Sequence, residues 1–200
     1  MLNECKQWWS VSIDEIIKEL SVNPKIGLSE SEAKKRLETN GLNLINPPKN
    51  LQKYYKSDKT NYKKGIVLRD GIEKRIYMAE IVPGDIILFN DKVNLAENQK
   101  DRFQYLIDQG KELPFIGEEI GADARLLESN NLTINETVLT GLATHARKDA
   151  SIGILPEDSN LADIRNMVFA VTSIASGNGR AIVVNTGKNT QVGKISVPLG

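Results

Sequence analysis

The sequence predicts an α+β chain, with a helical hairpin leading into a β-rich domain. Two helix-period patterns with their own start and stop signals fill the first 46 residues. Short β-branched runs separated by Gly and Pro turns begin at Gly65. The composition is that of an ordinary globular chain, 40% hydrophobic and 26% charged over 200 residues.

The first helix starts at Ser12, with Glu15 three residues on, the pattern of a capping box. Ile13, Ile16, Ile17 and Leu20 recur at helical spacing, and Asn23-Pro24 and Gly27 stop the run. Ser29 and Glu32 repeat the start signal. Ala33, Leu37 and the stem of Arg36 form one face, and Asn40-Gly41 is the stop. Two helices this short bury too little to stand alone. In the pair Trp8-Trp9, one Trp reads as packing under the hairpin, with an exposed anchor as the other reading.

Residues 1–48 therefore form an N-terminal helical unit closed by Pro47-Pro48. Residues 49–64 are a Lys-rich linker carrying Lys49, Lys53, Lys56, Lys59, Lys63 and Lys64 against the lone Asp58. This is a solvated join, or a surface for an anionic membrane or partner, where each Lys contributes about 1 kcal/mol near the lipid.

Residues 65–200 form the β domain. Ile66-Val67-Leu68 runs into the hairpin turn Arg69-Asp70-Gly71, and Ile72 to Met78 returns. Pro83-Gly84-Asp85 is a turn before Ile86 to Phe89. Ala122 to Leu127, Leu132 to Ile134 and Ala181 to Val184 read as further short strands, giving a sandwich or partly closed barrel. Phe103, Leu106 and Ile107 place an inserted helical segment at about 90–117.

Several function classes are excluded. With 26 basic and 26 acidic residues the chain lacks the basic excess of a general nucleic-acid binder, and no nucleic-acid partner is expected. The longest uncharged stretch, Asn166 to Gly179, is shorter than the roughly 20 apolar residues of a membrane span. The start lacks the pattern of a signal peptide, so a cytoplasmic location is expected, with a peripheral membrane contact as an addition. One cysteine, Cys5, and one histidine, His145, leave no metal site and no cofactor to expect.

Taken in order, these residues resemble the cytoplasmic parts of a P-type cation-transporting ATPase. Trp9, Ile16 to Leu20, Gly27 to Ala33, Arg36-Leu37 and Gly41-Leu42-Asn43 are similar to the family's N-terminal unit. Val67 to Gly71, Ile81 to Ile86, Ala122 to Leu127, Glu136, Leu139-Thr140-Gly141, Asn166 to Phe169 and Thr186 to Ile195 are similar to its actuator domain. The resemblance implies a distorted jelly-roll, with Pro83, Gly84 and Asp85 as a fold signature. It also locates the functional loop at Thr140, Gly141, Leu142 and Ala143.

The family's loop reads Thr-Gly-Glu-Ser. Its glutamate enters the phosphorylation site of a neighbouring domain and positions the water that hydrolyses an aspartyl-phosphate. Leu142 has no hydrogen-bond acceptor for that task, and Ala143 lacks the hydroxyl. No catalytic residue is therefore expected. Val171 stands where the family has Gly, and Gly121 where it has Pro.

The expected function is an actuator-like part or relative of such a pump that neither hydrolyses ATP nor transports ions. One alternative is a regulatory protein docking on a pump's phosphorylation or nucleotide domain, or on another protein. Another is a fragment of a complete transporter. A hydrolase built on His145 is the weakest reading, because no nucleophile or orienting group accompanies it.

Overall fold

The computed structural model describes residues 6–45, 63–90, 119–142 and 145–196. Of the helical segment predicted at about 90–117, residues 91–117 lie outside the described residues, as do Lys49, Lys53, Lys56, Lys59 and Ala143.

Both helices start where the capping signals lie. In α1 (Ile13–Glu19) the Ser12 side chain accepts from the Glu15 backbone, and Glu15 reaches back to the Ser12 N–H, closing the capping box. In α2 (Glu30–Asn40) Ser29 caps the Glu32 N–H, and Gly41 follows at φ 76°. The first helix stops earlier than its breakers suggest, because Ser21 already turns left-handed at φ 47°.

The strands are β1 (Lys64–Arg69), β2 (Ile72–Tyr77), β3 (Ile86–Asn90), β4 (Asp123–Asn135), β5 (His145–Arg147), β6 (Met167–Val168) and β7 (Ser173–Asn185). They form one antiparallel sheet in the order β2-β1-β3-β7-β4-β5, with β6 also on β4. Among the described residues there are two further short α-helices, α3 (Thr137–Thr140) and α4 (Gln191–Ser196). The runs expected at Ala122 to Leu127 and Leu132 to Ile134 are not two strands: all but Ala122 belongs to the one 13-residue β4. Its polar middle is absorbed by register shifts against β7, with Asn131 at φ 48°. A Cβ on the facing Gly177 would meet the Asn130 and Asn131 carbonyl oxygens at 2.4 Å.

At the centre of the sheet both faces are buried, and strand alternation sorts residues between them. Val67, Ile87, Phe89, Ala124, Leu126, Ala181 and Val183 belong to an inner core with Ile120, Leu132, Ile134 and Ile174. Leu68, Ile86, Ile182 and Val184 belong to the other core, and there they meet Trp8, Trp9, Ile16, Val22, Leu28 and Ala33. The N-terminal helices thus solve their burial problem by sharing a core with the sheet. Both tryptophans are buried, which sets aside the exposed-anchor reading. Trp8 Nε1 donates to Asn185 Oδ1 at 3.2 Å, and Trp9 Nε1 to the Pro156 carbonyl at 3.0 Å.

Val171 takes φ 66°, a left-handed backbone that a β-branched residue adopts only under strain. Gly121 is not left-handed; a Cβ there would meet Ile81 and Met78 at 3.2 Å.

Candidate functional site

The loop singled out in the sequence is the connection between β4 and its edge partner β5, which pair through Thr133–Asn135 and His145–Arg147. Asn135 Oδ1 accepts from Thr137 N at 3.1 Å and from Thr137 Oγ1 at 2.7 Å, starting the short α3. The helix ends at Gly141, φ 71°, whose N–H returns to the Thr137 carbonyl at 2.9 Å. Among the described residues nothing lies within 4 Å of where a Cβ would sit at Gly141, and its backbone shape is what favours glycine.

Two threonine hydroxyls then close the tip. Thr140 Oγ1 accepts from Leu142 N at 3.2 Å, and Thr137 Oγ1 lies 3.1 Å from the Leu142 carbonyl. Every polar contact of residue 142 described here is made by its backbone. Leu142 is 53% exposed, and Val138 of α3 is 68% exposed.

Beneath the tip sits a buried ion pair that sequence reasoning missed. Lys148 Nζ lies 2.6 Å from Glu136 Oε1, donates to the Ile164 carbonyl at 2.7 Å and sits 5.3 Å over the Phe169 ring. Both side chains are almost fully buried. Burial pushes the Glu136 carboxyl up and the Lys148 ammonium down, and each partner's charge opposes the other's shift. Glu136 faces inward, so it does not supply the acceptor that Leu142 lacks. His145 is exposed at the start of β5.

Pro83, Gly84 and Asp85 lie away from this tip and serve as the seat of the N-terminal unit. Asp85, fully buried, takes Arg69 in a two-toothed bridge (Nε to Oδ1 2.8 Å, Nη2 to Oδ2 2.7 Å) and accepts from Val82 N at 2.9 Å. Gly84 is at φ 94°, and Arg36 of α2 crosses it to donate to the Pro83 carbonyl at 3.0 Å.

Two more buried charges were hidden in the Ala122 to Leu127 run. Asp123 accepts from Ala170 N and Gln191 N, capping α4, and burial pushes its carboxyl up to about 6. Arg125 donates to the Asn166 and Gly153 carbonyls, each at 2.9 Å, and burial pulls it down to about 10. Charged residues at alternate positions inside an apolar run were the available signal.

Of the six lysines, Lys63 pairs with Glu119 and Lys64 sits 4.8 Å over the Tyr77 ring. Lys63 and Glu119 border a depression of about 320 Å³ together with Leu44, Ile45, Val171 and Gly187. Among the described residues no group of His, Cys, Asp and Glu could hold a metal, and no helix is long and apolar enough to cross a membrane.

A family model of the P-type ATPase actuator domain matches residues 115–198, and one of the cation transporter/ATPase N-terminus matches residues 8–57. The chain is 34% identical over 131 residues to a calcium-transporting ATPase of Bacillus subtilis (strain 168), covering 66% of this chain and 12% of the relative. It is 34% identical over 129 residues to a probable cation-transporting ATPase F of Mycobacterium tuberculosis (strain ATCC 25618 / H37Rv), covering 64% and 11%. A P-type sodium-transporting ATPase4 of Plasmodium falciparum (isolate 3D7) is 33% identical over 133 residues, covering 66% and 8%. The chain thus spans only about an eighth of the length of these relatives, or less.

Proposed function

The chain carries the N-terminal unit and the actuator domain of the P-type cation-transporting ATPase family, and from that premise we propose that it is an actuator-like unit without hydrolytic function of its own. In this reading residues 1–48 are the N-terminal unit, 49–64 the join and 65–200 the actuator-like domain. The observation that carries the proposal is Leu142. It stands half-exposed directly after α3, where the backbone is held by Asn135, Thr137, Thr140 and Gly141. A loop so held would present a carboxylate if one were there. What it presents is an isobutyl group, which cannot orient a water.

The test supplies a separately purified phosphorylation domain of a related pump, carrying its aspartyl-phosphate, and follows phosphate release. The wild-type chain is expected to leave the rate unchanged. Leu142→Glu is expected to raise it, within the roughly 10²–10⁴-fold range of positioned acid–base groups. Acceleration by the wild-type chain would overturn the reading.

A second reading is favoured by the apolar tip. Val138 and Leu142 are both exposed, which suits a regulatory chain that docks on a pump's phosphorylation or nucleotide domain without reacting there. Retention of those domains on immobilised chain, lost in Leu142→Asp, supports it. The small share of each relative that is matched favours a third reading, a piece of a complete transporter. Reading the gene beyond both termini tests that. Contact between the lysine run and an anionic membrane is tested by flotation on phosphatidylserine vesicles, where binding should weaken with salt.

A further inference from the structure

The hairpin β1–β2 leaves β2 as the last strand of the sheet among the described residues. Its turn, Asp70-Gly71 with φ 53° and 74°, is the two-residue type that makes Arg69 and Ile72 a hydrogen-bonded pair. Met78 N donates to the Lys63 carbonyl at 3.0 Å, which fixes the same parity at the far end. Lys74 and Ile76 therefore spend their backbone groups on β1, opposite Val67 and Gly65. The backbone N–H and C=O of Glu73 and Arg75 point outward, and both residues are exposed.

We propose that this edge pairs with the same edge of a second copy of the chain, antiparallel about a two-fold axis at Lys74. In that register Glu73 of one copy lies opposite Arg75 of the other, and the reverse, in two hydrogen-bonded pairs. The outward backbone groups are satisfied, and both cross-strand pairs carry opposite charges. Ile72, 60% exposed, falls opposite Ile76. The two Lys74 residues face each other, but each is already held by Glu30 at 2.9 Å and Asp70 at 3.5 Å in its own copy. A shift of two residues in the pairing places Arg75 on Arg75 or Glu73 on Glu73, so the charge pattern selects one register. A two-fold axis needs a self-complementary patch, and Glu73-Lys74-Arg75 is one. The contact is small, so the dimer belongs to the weak, reversible class.

Sedimentation equilibrium of the 200-residue chain at low salt tests this. The wild-type chain should dimerise with rising concentration. Glu73→Arg alone and Arg75→Glu alone should each weaken the dimer at least tenfold, since each puts like charges opposite one another twice. An equimolar mixture of the two variants should restore it, because every pair in the mixed dimer is again opposite. Arg75→Pro, which removes an outward N–H and no bond to β1, should also leave a monomer with an unchanged circular dichroism spectrum. A wild-type chain monomeric up to roughly millimolar concentration, the weak end of specific association, would overturn the proposal. So would a dimer indifferent to both reversals, or failure of the mixture to associate.

Discussion

Asp123 shows how one side chain ties folding to pH. Its buried carboxylate holds the Ala170 and Gln191 N–H groups, and burial pushes its ionisation from 3.8 up to about 6. The folded chain therefore keeps this proton more tightly than the unfolded chain. The stabilisation from the held proton is complete below pH 3.8 and is lost as pH rises to about 6. Each unit of such a shift corresponds to about 1.4 kcal/mol, so Asp123 contributes a downward slope worth about 2–3 kcal/mol over that window. Asp123→Asn should lose that slope in urea titrations run from pH 4 to 7. It should also be less stable throughout, because an amide has only one oxygen for two N–H donors. A variant with the wild-type slope would show that other groups set the pH dependence.

Among the elements, α2 and the Pro83-Gly84-Asp85 turn form a joint. A Cβ on Gly84 would lie 2.2 Å from Arg36 Nη1, at a backbone φ of 94°. Gly84→Ala should cost about 1–2 kcal/mol from the left-handed backbone alone, plus the displaced Arg36 contact. In an Arg36→Ala background only the first part should remain, so the double-mutant cycle should show coupling of roughly 0.5–1.5 kcal/mol, that of one hydrogen bond. Strict additivity would mean that Arg36 moves aside without loss.

The same joint marks how far the sequence could be read. Local signals were legible: both caps, the Asp70-Gly71 hairpin and the turn at Pro83 lie where the residues place them. The resemblance to a family motif is what pointed to the tip around Thr140, which lies within the span of the actuator match. Long-range pairings were not. Glu136 and Lys148 are brought together only by β4–β5 pairing, and Arg69 and Asp85 by β1–β3 pairing. The polar run Ser129-Asn130-Asn131 hid the continuity of β4, since a bulge breaks the alternation that announces a strand.

For the whole molecule, the shared core makes the N-terminal unit and the sheet one cooperative body. The chain has two tryptophans, both in the N-terminal unit, whereas its β signal comes from the sheet. Tryptophan fluorescence and far-UV circular dichroism should therefore report the same urea midpoint. Fluorescence changing first would mean that the helices peel off before the sheet melts. The depression bordered by Ile45, Lys63 and Glu119 carries a further meaning. Ile45 and Lys63, the described residues on either side of positions 46–62, border the same hollow and so lie near one another. Joining two neighbouring points costs only about 0.6 kcal/mol more for each doubling of the connecting length. The body is therefore nearly indifferent to how much polypeptide is spliced between those points.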